Sequence, residues 1–389
     1  MRKILVLLFI IVYSNAFTQQ NKTYLKGEYK KEDTGSVYIT NNQHTVDPIN
    51  ECSDPYAEIH NIILMIGDGM GVSHVFSGFS TNNDQLYIQY AKHIGFQKTK
   101  SNNNYMTDSG AGGTALACGV KTNNGVIGMD NDFNPVKSIL ELAHENGKAT
   151  ALVSASKITH ATPASFIAHV KNRGQYEDIA EFFVTDQLDL FIGGGSDDFE
   201  KREDTSSIIP ELKAKGFQIA RSKSELENIN EGKIAGLLAA GHIDRYPARG
   251  EFLPYSTQKA LSILSRDKDG FFLMVEASQI DWGGHDNDVG YVVEEMLDFD
   301  RTIGEVLKFA EEDGHTLVII TADHETGGMS IHNANPELGQ VEGRFSTGSH
   351  SSVMLPVFVY GPGAEKFIGI YENTEIFHKM VEAFQFEKD

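Results

Sequence analysis

The 389-residue sequence contains two cysteines, Cys52 and Cys118. That is too few for the disulfide framework that staples many small secreted domains. Cys118 lies in an alanine-rich stretch and reads as a small buried residue. Cys52 lies in a polar loop, and a bridge between the two stays open. Positive charge is also scarce: 33 Lys and Arg stand against 54 Asp and Glu, a formal charge of −21. Such an excess argues against a nucleic-acid backbone as partner. It fits a solvated surface, and it is also what a site for several cations requires. Beyond residue 16 no apolar run approaches the ~20 residues that span a bilayer. No internal repeat or low-complexity tract interrupts the chain.

The first sixteen residues, MRKILVLLFIIVYSNA, place an apolar run behind Arg2 and Lys3 and ahead of Ser14-Asn15-Ala16. This is the layout of a secretory signal (residues 1–16) cut after Ala16, and its run is about half of what a spanning helix needs. The expected product is exported, periplasmic or extracellular, with no membrane contact once the signal is gone. Residues 17–58 are polar and aperiodic, a loosely attached arm or a short edge element. Residues 59–389 read as one catalytic α/β domain. Apolar runs at 61–66, 149–154, 188–192, 271–275, 316–321 and 355–360 alternate with helical patterns at 138–146, 258–265 and 291–313. Alternation of this kind predicts a mostly parallel central sheet with helices on both faces. The charged stretch from 201 to about 250 is either an excursion or part of that sheet.

Glycine is plentiful, 37 residues, and clusters beside polar motifs, as tight loops against a ligand require. The most informative cluster is TDSGAGGTALACGVKT, residues 107–122. It sets Ser109 where a helix begins, and helix N-termini hold anions through unpaired N–H groups. By itself Asp108-Ser109 is an ordinary N-cap. What raises it is the recurrence of carboxylates at strand ends, where open α/β sheets bind ligands. Asp68 follows one strand, Glu276 a second, and Asp323-His324 a third. Carboxylates converging in this way repel unless cations sit among them. Asp281 and His285 stand at i and i+4, His350 precedes the last apolar run, and His160 and Thr162 precede Arg173. Each histidine alone would be a satisfied structural residue. Together, Asp and His donors suit Zn2+, whereas Thr with carboxylates suits Mg2+.

The motifs IGDGMG, TDSGAGGTA, HATPASFIAHVKNR, VEASQIDWGGH, TADHETGG and GSHSSVMLPVFVYGPGA occur in one order between residues 61 and 384. In that set and spacing the chain resembles the alkaline phosphatases. The resemblance implies two Zn2+ and one Mg2+: Asp281, His285 and His350 on the first zinc, and Asp68, Asp323, His324 and Ser109 on the second. Asp68, His160, Thr162 and Glu276 would hold the magnesium. It implies Ser109 as nucleophile, Arg173 as the fork that grips phosphate oxygens, and Asp108 as the residue that steers Arg173. Hydrolysis of phosphate monoesters through a phosphoserine, broad specificity and a frequent homodimer follow from the same likeness. His160 and Trp282 stand where some relatives carry Asp and Lys, which leaves the third metal open. The nearest alternative is a phosphodiesterase of the same superfamily. A sulfatase is disfavoured by the missing Cys-x-Pro-x-Arg motif. A non-catalytic metal- or phosphate-binding protein is the alternative from another class.

Overall fold

The computed structural model describes residues 36–386. A ten-stranded sheet runs through it in the order Gly369–Glu372, His93–Lys98, Leu355–Tyr360, Thr316–Thr321, Asn61–Gly67, Phe271–Ala277, Ala149–Lys157, Leu190–Gly194, Ile234–Leu237 and Gln218–Ala220. All neighbours pair in parallel except Leu355–Tyr360, which runs against both of its partners. The expected architecture is therefore the one observed. The stretch beyond residue 201 supplies the last two strands of this sheet.

The central strands lack polar alternation because helices cover both of their faces. Every residue of Asn61–Gly67 is buried. Ile63 and Met65 point into one core layer with Val292, Leu297 and Val306, and Ile62, Leu64 and Ile66 into the other with Leu116, Ile139 and Phe166. Each such side chain removed from water is worth roughly 2 kcal/mol. On the first face lies the helix Val289–Asp313, started by Asp288, whose carboxylate accepts from the N–H groups of Gly290 and Tyr291 at 2.9 and 3.1 Å.

A second, three-stranded antiparallel sheet joins Ser36–Ile39, Gln340–Arg344 and Ser330–Asn335. The chain after Ile39 runs along the long helix and is tied to it by buried acids. Glu294 accepts from Tyr38, Thr40 and Asn42 at 2.7, 2.6 and 2.7 Å, and Asp300 meets His44 Nε2 at 2.8 Å. The expected signal, residues 1–16, and residues 17–35 of the polar arm lie outside the described residues. Cys52 and Cys118 are free thiols; burial pushes the Cys118 thiol above its ordinary range. No described helix is long and apolar enough to cross a membrane.

Candidate active site

Register brings the carboxylates together. Asn61–Gly67 lies between Phe271–Ala277 and Thr316–Thr321, and Ile66 sits opposite both Glu276 and Thr321. Asp68, Glu276 and Asp323 therefore leave three adjacent strands at one level. The short helix Gln279–His285 carries Asp281 and His285 on one face, one turn apart. His350 arrives from the opposite direction on a two-residue strand, paired across from Thr326. His160 and Thr162 come from the start of Ala161–Ala164, beyond the end of Ala149–Lys157.

Three groups of donors result: Asp281 with His324 and His350, Asp68 with Asp323 and His324, and Asp68 with His160 and Glu276. Within each group one donor atom per residue lies within 4.8 Å of the others. His324 Nε2 is 3.3 Å from Asp68 and 3.4 Å from Asp323. His285 Nε2 stands 3.4 Å from Asp281 and 3.2 Å from His350 Nε2. The His324 and His350 rings stack at 3.6 Å between centroids, and His350 Nδ1 is 2.8 Å from the carbonyl of Thr107.

Ser109 is the first residue of Ser109–Cys118, capped by Asp108, whose side chain accepts from Ala111 N. Ser109 is 2% exposed, and its hydroxyl lies 3.2 Å from His324 Nε2. The helix can approach this closely because Gly112 faces the backbone after Thr316–Thr321; a Cβ there would stand 2.9 Å from the Asp323 carbonyl. Arg173 donates to Asp108 at 3.1 Å, and its other terminal nitrogen is 3.2 Å from His160 Nε2.

Cations would offset the charges gathered here. Burial, then repulsion from Asp323, Asp281 and Glu276, pushes the Asp68 carboxyl well above the carboxylate range. Burial likewise raises Asp323, and it lifts Glu276 to about 7. Burial first, then Arg173 for His160 and His350 for His324, drives both imidazoles well below their usual range, into the neutral form that binds metals. Asp108 behaves differently: burial opposes ionisation, but Arg173 and the N–H groups of Ala111 and Gly125 hold it low. Both oxygens of Asp68, Asp323 Oδ2, Glu276 Oε1, His160 Nδ1 and Thr162 Oγ1 are buried with no hydrogen-bond partner among the described residues. Buried acceptors left over in this way are costly unless something binds them, and this set fits divalent cations.

A family model for alkaline phosphatase matches residues 59–345. The chain belongs to the alkaline phosphatase family. Alkaline phosphatase 3 of Bacillus subtilis (strain 168) is 32% identical over 418 residues, covering 85% of this chain and 90% of its own. Alkaline phosphatase of Escherichia coli (strain K12) is 30% identical over 400 residues, with 82% and 85% covered. The solved alkaline phosphatase of the Antarctic bacterium TAB5 is 42% identical, superposes with a TM-score of 0.80, and is covered over 99% of its length and 85% of this one. As a member of this family the chain is a metal-binding phosphomonoesterase, and its clustered acids and imidazoles are groups that could hold ions.

The site also contains groups that sequence reasoning did not single out. Ser154 donates to Glu276 Oε2 at 2.6 Å, fixing one oxygen while leaving the other open. Thr326 hydrogen-bonds Asp281 and lies 3.2 Å from His324 Nδ1, so one hydroxyl meets two donors of the first group. His242 meets Trp282 edge-on at 4.8 Å and His160 at 5.7 Å. Thr326 falls inside the TADHETGG motif and was the most accessible of these; a lone Ser or His elsewhere carries no such flag.

Proposed function

We propose that this alkaline phosphatase hydrolyses phosphate monoesters through a phosphoserine on Ser109, with two Zn2+ and a third ion, Mg2+, in the nest of acids and imidazoles. Asp281, His285 and His350 would hold one zinc, and Asp68, Asp323 and His324 the other, beside Ser109. Asp68, His160, Thr162 and Glu276 would hold the third ion. When bound, the ions would lower the pKa of hydroxyl and water and offset charge on the attacking and leaving oxygens.

The chain's own groups do the rest. Ser109 Oγ attacks phosphorus in line and the alcohol departs. Water then attacks the phosphoserine and releases inorganic phosphate, and two displacements give net retention. Arg173, held by Asp108, grips two phosphoryl oxygens, while N–H groups opening the Ser109–Cys118 helix point at the same charge. Recognition centred on the phosphoryl group implies broad monoester specificity. His160 favours zinc over magnesium at the third site more than an aspartate would. A His-to-Asp form of the TAB5 alkaline phosphatase has Mg bound in its M3 site. Export with signal cleavage, and a homodimer, complete the proposal.

The observation that carries this reading is the set of buried, unpartnered oxygens of Asp68, Asp323 and Glu276 around His324 and Ser109. The test is metal analysis paired with monoester hydrolysis before and after chelation. Zinc near two per chain, with activity lost to chelator and restored by zinc plus magnesium, is expected. Full activity in metal-stripped protein would end the proposal.

A further inference from the structure

Among the described residues no hydrogen bond joins the loop at residues 122–125 to the groups assigned above to the ions, yet both halves of the phosphate grip are fastened to it. The N–H of Gly125 donates to both oxygens of Asp108, each at 3.0 Å. The carbonyl of the same residue accepts from the backbone N–H of Arg173 at 2.7 Å. Two residues on, Ile127 and Val170 exchange backbone hydrogen bonds at 2.9 and 3.0 Å, so the segment leading to Arg173 lies along this loop as a short antiparallel pair. The loop is itself anchored: Asn124 N donates to Asn103 Oδ1 at 2.9 Å, and Asn124 Nδ2 donates to the Met106 carbonyl at 3.0 Å.

Gly125 is held at φ +84°, the left-handed region, and a Cβ there would meet nothing within 4 Å. Crowding therefore does not account for glycine at this position. Backbone conformation does: at this φ the one residue can aim its N–H at Asp108 and its own carbonyl at the N–H of Arg173. We propose that Gly125 is the positioning residue of the phosphate grip, orienting Asp108 and the main chain of Arg173 together so that the guanidinium reaches substrate as part of one rigid unit. This rests on the reading of Arg173 as the phosphate ligand. Gly125 acts through Arg173 and touches no reacting atom.

The test is a double-mutant cycle on full-length, metal-loaded enzyme, using Gly125→Val and Arg173→Ala, with Gly147→Val as control. Gly147 is also left-handed, at φ +78°, also has nothing within 4 Å of its missing Cβ, and lies at the surface in the turn before Ala149–Lys157. A branched residue leaves the left-handed region to escape a penalty that, as a factor in equilibrium, is about tenfold. Gly125→Val is expected to raise KM and weaken inorganic phosphate inhibition by about that factor, with Gly147→Val unchanged in both. In the Arg173→Ala background Gly125→Val should add almost nothing, because its effect is already spent. Gly125→Asn, a residue that tolerates positive φ, should recover most of the phosphate affinity and keeps the test open if the valine variant folds poorly.

Phosphate inhibition in Gly125→Val matching that of Gly147→Val would overturn the proposal, as would full additivity with Arg173→Ala. If Arg173→Ala alone leaves phosphate inhibition intact, the reading of Arg173 fails first, which is a separate outcome.

Discussion

Glu276 makes the electrostatics of the site measurable. Buried in the metal-free protein, its carboxyl is raised from an ordinary 4.5 to about 7, by burial above all. Between those values the folded state holds a proton that the unfolded state has released, so stability falls as pH rises. The loss begins near 4.5, is complete just above 7, and amounts to about 3 kcal/mol for this group at 1.36 kcal/mol per unit. Glu276→Gln has no proton to lose. In chelator, urea titrations of both proteins should give stabilities that diverge with pH, the variant gaining on the parent by about 3 kcal/mol between pH 4.5 and 7.5. With metal bound the order should reverse at pH 8, because a cation then takes the proton's place on the carboxylate and glutamine offers it no charge. Parallel curves for the two metal-free proteins across that window would refute the argument, since they would mean that Glu276 is solvated enough to ionise freely.

Three further outcomes follow from particular contacts. Ser109→Ala should abolish acid-stable phosphoenzyme and nearly all turnover while retaining its metals, checked by phosphate labelling and metal analysis; labelling at the parent level would remove Ser109 as nucleophile. Thr326→Val deletes the hydroxyl shared by Asp281 and His324, and zinc affinity should fall by about 10- to 100-fold in competition with a chelating dye. Arg249→Met leaves Glu295 and Asp298, both buried and bonded to Arg249 at 2.6 Å, without their counter-charge, and should cost about 3–5 kcal/mol in urea titration. At 25 °C the folded fraction of that variant should keep its KM, as Arg249 is fastened to the long helix and takes no part in the grip on phosphate.

What the sequence disclosed depends on how local each cause is. The six interior runs, such as residues 61–66 and 316–321, became strands within a few residues of expectation because burial on both faces writes an unbroken apolar signal. Strands at or next to the sheet's edges write none. His93–Lys98 mixes exposed and buried positions, Gly369–Glu372 is largely exposed, and Gln218–Ala220 is three residues long; each is strand by virtue of its pairing with a neighbour, which for His93–Lys98 lies far off in the chain. The same divide runs through the site. Asp68, Glu276 and Asp323 could be read because a carboxylate directly after an apolar strand is conspicuous, and the register that sets them level follows from parallel pairing. Ser154, Thr326 and Gly125 could not be, since a hydroxyl or a glycine is informative only once its partner is known. Ser154 lies 122 residues from Glu276, and Gly125 stands 17 from Asp108 and 48 from Arg173, separations that no spacing rule connects. Groups that bear chemistry announce themselves through residue type, whereas groups that aim them do so through geometry. It follows that substitutions at the aiming positions should chiefly alter affinity and pH response, leaving the type of reaction as the conspicuous residues define it.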